Sequence, residues 1–167
     1  KTGEKTYALQ LDMNIKKPLV SITIATYNVE SFIEESISSI INQTFKDFEL
    51  ICIDDGSKDN TLKILEEFEK KDSRIKVIAK EINEGLAVAR NESLKLAKGK
   101  YITFLDGDDI YDETLFEKAV DLAEKESSDI VYWDYIAFSD TKQLEKLIKK
   151  PSDLLNVDKH DKKMWLK

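Results

Sequence analysis

The chain alternates between two hydrophobic rhythms. Short runs of consecutive apolar or β-branched residues at 19–25, 48–53, 75–79 and 101–105 read as strands buried on both faces. Between them, apolar residues return every three or four positions, the period of a helix with one buried stripe. Ile33, Ile37, Ile40 and Ile41 predict a helix over 29–43. Leu62, Leu65 and Phe68 predict a second, preceded by the capping residue types Asp59, Asn60 and Thr61. Leu86, Ala89, Ser93 and Ala97 predict a third that ends at Gly99. Leu115, Phe116, Ala119, Leu122 and Ala123 predict a fourth, with Asp112 placed to cap it. A last run rich in aromatics, 130–138, predicts a fifth strand. Strands and helices in strict alternation imply an α/β fold, a mainly parallel sheet with helices on both faces.

Ligands of such sheets bind beyond the carboxyl ends of the strands. Three polar clusters fall at that edge: Thr26-Tyr27-Asn28, Asp54-Asp55-Gly56-Ser57 and Asp106-Gly107-Asp108-Asp109. So many carboxylates at one edge repel one another, and a bound cation relieves the repulsion. Two carboxylates separated by a small residue can hold Mg²⁺, which fills its other positions with water and phosphate oxygens. The plainer reading of Asp106–Asp109 is an acidic turn capping the next helix. Asp55 can accept from a nucleobase imide or a ribose hydroxyl, and the plainer reading is again a capping loop. Tyr27 offers a ring on which a base could stack, or simple packing.

Composition narrows the classes. With 167 residues, 41% hydrophobic and 35% charged, the chain suits one globular domain over 18–141. Residues 1–17 read as an N-terminal extension and 142–167 as a basic C-terminal segment, eight Lys against four acids. That segment is either a solvated face or a peripheral contact with an anionic membrane surface. A net charge of −7 argues against nucleic acid as a partner. No apolar run approaches the ~18 residues of a membrane span. The single cysteine, Cys52, excludes an internal disulfide, fits a cytoplasmic setting, and reads as core within its strand.

The stretches VSITIATYNVESFIEESISSIINQTFKDFELICIDDGSKDNT and INEGLAVARNESLKLAKGKYITFLDGDDIYD resemble the family 2 glycosyltransferases, in order and spacing, over about residues 18–140. The resemblance implies a Rossmann-like GT-A fold, a UDP-sugar donor, Mg²⁺ or Mn²⁺, and inversion at the anomeric carbon. It implies that Ala25, Thr26 and Tyr27 lie along base and ribose with Glu30 nearby, and that Asp55 holds the base. Asn83, Gly85 and Arg90 would belong to a stretch that closes over the nucleotide. Asp106 and Gly107 would lie at the ribose and metal, with Asp108 and Asp106 as metal ligands. Ala25 stands where the family more often has Pro.

The implied acceptor is a saccharide or lipid-linked saccharide of surface polysaccharide synthesis, met at the inner face of the cell membrane. In the family, a stretch like Met164-Trp165-Leu166-Lys167 precedes the acceptor-side segment that supplies the catalytic base. That base is therefore expected to be absent here, leaving Asp134 as a weak candidate and His160 as a conceivable late metal ligand. A dinucleotide-dependent oxidoreductase fits poorly, because no glycine-rich turn follows the first strand. A haloacid dehalogenase-type phosphatase fits poorly too, since its nucleophilic Asp follows the first core strand. A non-catalytic nucleotide-sugar-binding module stays open as the alternative.

Overall fold

The computed structural model describes residues 17–135. Residues 1–16, the end of the expected fifth strand at 136–138, the basic segment 142–167 and His160 lie outside the described residues. Eight elements follow in order: β1 (Val20–Thr26), α1 (Ile33–Ile41), β2 (Phe48–Asp54), α2 (Thr61–Lys71), β3 (Ile75–Ala79), α3 (Leu86–Leu96), β4 (Tyr101–Asp106) and α4 (Leu115–Glu126). The chain divides into two compact units, Lys1–Phe116 and Glu117–Lys167.

The first unit holds the sheet, in the order β3-β2-β1-β4 with every pairing parallel. Side chains alternate between faces along each strand. Ile22 and Ile24 of β1 therefore share a face with their register partners Leu50 and Cys52, all fully buried. Ile51 and Ile53 point the other way and form a buried cluster with Ala89 of α3, against which Ala25, Ile78, Leu96 and Ala97 pack. Right-handed crossovers put α1 and α2 together on one face and α3 on the other; α1 touches α2, and α3 packs on β1 and β2. Helix α1 buries Ile33, Ile37 and Ile40 completely. Each such side chain contributes about 1.5–3 kcal/mol over leaving it in water.

The chain runs from β1 outward to β3, then crosses back to place β4 on the far side of β1. The order therefore reverses between β1 and β4, the position at whose carboxyl edge sheets of this kind bind ligands.

Two expectations need correction. Helix α1 begins at Ile33, later than the expected 29. Asn28 adopts a left-handed φ of 53°, and Val29–Phe32 form a turn ahead of the helix: the N–H groups of Phe32 and Ile33 both donate to the Val29 carbonyl, at 2.9 and 3.0 Å, while those of Val29 and Glu30 are capped by the side chains of Thr61 and Asp59. The expected strand over 130–138 is also not formed at 130–135. Ile130, Tyr132 and Tyr135 are 82%, 65% and 88% exposed. β-propensity expresses packing on a sheet, and these side chains have no such neighbours to select the strand. Within the second unit, α4 closes on Ser127, whose φ of 50° lets the Ser128 N–H reach back to the Ala123 carbonyl at 2.9 Å.

Candidate active site

The loops after β1 and β2 are laced together by side chains capping backbone. Asn28 accepts from the Lys58 N–H at 2.8 Å, and its own N–H donates to the Ser57 hydroxyl at 3.0 Å. Glu30 accepts from both the N–H and the side-chain amide of Asn60, each at 2.8 Å. Asp54 is buried and accepts from Ser57 through its N–H at 3.0 Å and its hydroxyl at 2.5 Å. Asp59 caps α2 by accepting from the Thr61 N–H at 2.9 Å. Burial pushes the Asp59 carboxyl up, but the Thr61 hydroxyl and the Thr61 and Glu30 N–H groups outweigh it and hold it below the usual range.

Asp55, the next residue after β2, anchors a third loop. Its N–H donates to the Thr26 carbonyl at 2.8 Å. Its carboxylate accepts from the Glu84 N–H at 3.1 Å and the Gly85 N–H at 2.7 Å, and pairs with the Lys80 ammonium at 2.8 Å. Lys80 also pairs with Glu84 at 2.6 Å and lies 4.0 Å from Glu92. Two glycines let this loop close. A Cβ on Gly56 would stand 2.9 Å from the Ile82 carbonyl carbon and 3.0 Å from the Asn83 nitrogen, so only hydrogen fits. Gly85 has a φ of 96°, which aims its N–H at Asp55 just before α3 begins. Burial, the largest single influence on Asp55, pushes its carboxyl up. The bonds from Lys80, Glu84 and Gly85 together outweigh it and hold the group ionised below the usual range. Burial acts downward on Lys80, and its two carboxylate partners reverse this and raise it.

The turn after β4 stands at the same carboxyl edge, beside the end of β1. It is tightened by the Asp109 N–H donating to the Asp106 carbonyl at 3.1 Å. Gly107 is buried, where a Cβ would stand 3.1 Å from a Val29 methyl and 3.3 Å from that of Thr26. The ends of β1 and β4 are thereby held close. Asp106 accepts from Arg90 of α3 at 2.6 Å, and the Arg90 guanidinium also lies 5.5 Å from the Phe104 ring centre. Asp106 and Asp108 are exposed. Burial, then the charges of Asp108 and Asp106, push the Asp109 carboxyl up. Burial also pushes the nearby Tyr111 hydroxyl up to about 12, and it donates to the Phe104 carbonyl at 2.9 Å.

The structure brings some of the sequence candidates together directly. Asp55 meets Gly85, Arg90 meets Asp106, and Gly107 meets the end of β1. Tyr27, just past the end of β1, is 45% exposed. Asn83 is exposed, with its backbone against Gly56. Other side chains are engaged elsewhere: Ala25 packs in the core, Thr26 turns its hydroxyl to the Ile53 carbonyl at 3.3 Å, and Glu30 grips Asn60. Asp134 is exposed in the second unit, on a stretch without regular structure. Lys80 stands outside the sequence candidates. The signal for it is its place at the end of β3, on the same edge as the carboxylates.

No group of three or more metal-binding side chains occurs among the described residues, so no cage made wholly of protein ligands exists there. The donors present suit a smaller share of a coordination sphere. Asp106 and Asp108 carry hard oxygen donors on one turn, of the kind that can hold a divalent cation whose other positions go to water and phosphate.

The comparisons agree with this architecture. The family model "Glycosyl transferase family 2" matches residues 21–165. The Bacillus subtilis (strain 168) protein EpsJ, an uncharacterized glycosyltransferase, is 46% identical over 114 residues, which are 68% of this chain and 33% of EpsJ. WfgD of Escherichia coli, a UDP-Glc:α-D-GlcNAc-diphosphoundecaprenol β-1,3-glucosyltransferase, is 43% identical over 118 residues, 70% of this chain and 46% of WfgD. The chain thus spans a third to a half of the length of these relatives. The crystal structure of S. aureus TarS 1–349 with UDP-GlcNAc superposes with a TM-score of 0.66 at 31% identity, covering 72% of this chain and 36% of that one. With a parallel sheet of the Rossmann-like GT-A type and a family match over most of its length, the chain belongs to glycosyl transferase family 2.

Proposed function

We propose that this chain is the donor-binding part of an inverting glycosyltransferase that takes a UDP-sugar together with Mg²⁺ or Mn²⁺. The observation that carries the reading is the reversal of strand order between β1 and β4, where the Asp106–Asp109 turn stands at the same edge of the sheet as Asp55. A loop carboxylate with an acceptor direction to spare suits a uracil imide, and Tyr27 suits a stacked ring. Asp106 and Asp108 would hold the cation, which when bound neutralises charge on the leaving diphosphate. Arg90 keeps the Asp106 carboxylate oriented. TarS, bound to UDP-GlcNAc, supports the choice of uridine donor.

WfgD is named for an acceptor that is a saccharide on a lipid diphosphate. We extend that class, a saccharide or lipid-linked saccharide in surface polysaccharide synthesis, to this chain, with work at the inner face of the membrane. No helix among the described residues is long and apolar enough to cross a bilayer.

Calorimetric titration of UDP with Mn²⁺ and again with EDTA tests the reading. UDP should bind in the micromolar to millimolar range and more weakly without metal, because the cation screens carboxylate from diphosphate. Equal affinity in both would remove the metal from the proposal, and no binding in either would remove the donor.

A further inference from the structure

Asp55 is nearly buried, accepts two backbone hydrogen bonds and is paired with an ammonium. A carboxylate offers about four lone-pair directions. The N–H groups of Glu84 and Gly85 take one on each oxygen, and the Lys80 ammonium, an ion pair at 2.8 Å, covers the rest of Oδ1. One direction is left, and it can only accept. Lys80 is itself fixed. Its N–H donates to the Asp54 carbonyl at 2.9 Å, its ammonium is held by Glu84 at 2.6 Å, and its side chain is only 9% exposed.

We propose that Lys80 is a positioning and specificity-determining residue for the nucleobase, acting through Asp55. This rests on the donor-binding reading above. By fixing the Asp55 carboxylate as an anion with one free lone pair, Lys80 makes the site accept a base that presents an N–H. It rejects one that presents a lone pair. Uracil carries a proton on N3, whereas cytosine has a bare nitrogen there. A carboxylate facing that nitrogen sets two lone pairs against each other, so cytosine must shift to offer its 4-amino group and gives up the pose that uracil holds. Without the ammonium, Asp55 loses the partner that fixes its orientation and opposes its protonation. A protonated carboxyl can donate to cytosine N3, and a carboxylate free to turn can follow the shifted 4-amino group, so the preference for uracil falls.

The test compares UDP and CDP binding at constant Mg²⁺ for the unaltered chain, Lys80→Met and Lys80→Arg. The unaltered chain should prefer UDP clearly. Lys80→Met should weaken UDP about tenfold, the scale of one charge-assisted bond, and bring the UDP:CDP ratio close to one. Lys80→Arg, which can still pair with Asp55 and Glu84, should restore the preference. If the Met chain does not fold, Lys80→Gln keeps a donor without the charge and should show the same fall in ratio. UDP binding with an unchanged ratio in the folded neutral variant overturns the role of Lys80 alone. Failure of the unaltered chain to bind UDP overturns the donor-binding reading, and this inference with it.

Discussion

Asp55 and Asp108 are chemically identical side chains placed in opposite surroundings. Asp55 is 3% exposed and held by three donors, whereas Asp108 lies open to solvent beside two other carboxylates. Their losses should therefore differ. Asp55→Ala leaves the N–H groups of Glu84 and Gly85 without their acceptor and removes one of the two close carboxylate partners of Lys80, so it should cost about 1–3 kcal/mol of stability in urea melts. It should also weaken uridine and UDP alike. Asp108→Ala should leave stability and uridine binding intact while lowering UDP affinity in Mn²⁺ to its level in EDTA. Parallel titrations of uridine and UDP read both effects. If the two variants behave the same, the division between base and metal roles is wrong.

At the scale of elements, the site is a set of loops joined by particular contacts. The loop from Lys80 to Gly85 reaches Asp55 only because Gly56 has no side chain and a φ of 77°. Gly56→Ala forces a methyl to within 2.9 Å of the Ile82 carbonyl carbon and strains the backbone. It should cost about 1–3 kcal/mol and weaken UDP, because the amides of Glu84 and Gly85 then move away from Asp55. Urea melts and calorimetry on the same sample check both, and native stability in this variant would contradict the packing described. The candidate ligands themselves were legible in sequence, since strand-end positions follow from hydrophobic runs. Their partners were not. Glu30 reads as a pocket residue until Asn60, 30 positions away, is seen to occupy its carboxylate.

For the whole molecule, two linkages are testable. Asp55, Asp59 and Asp72 are all held low in the fold, Asp72 foremost by its bond from Arg74. An acid depressed by folding adds stability above its unfolded value, about 3.9, and loses it as pH falls through the folded one. Asp109 is shifted upward and acts in the opposite sense, but it is outnumbered. Urea midpoints should hold steady at neutral pH and drop below about pH 4, and Asp72→Asn should shrink the drop. The second linkage is with ligand. UDP with Mn²⁺ at a hundred times its dissociation constant should stabilise the chain by about 2.7 kcal/mol, read as a rise in Tm. Stabilisation of the same size by CDP would contradict a uracil-selective site.

Hydrophobic rhythm by itself determined the four parallel strands, the helices between them and the edge where the polar clusters gather. Those features depend on local period and on burial of one face or two, and both are written into consecutive residues. Period alone was not enough where tertiary partners compete for the backbone. A turn at 29–32, entered from the left-handed Asn28 and capped by Thr61 and Asp59, stands where the period extends helix α1, and 130–135 forms no strand despite its β-branched and aromatic residues. The tertiary structure also decided which carboxylate is anchored and which is open. That depends on Lys80, Gly85 and Arg90 arriving from other crossovers, and electrostatics acts over ångströms in space, whatever the separation along the chain.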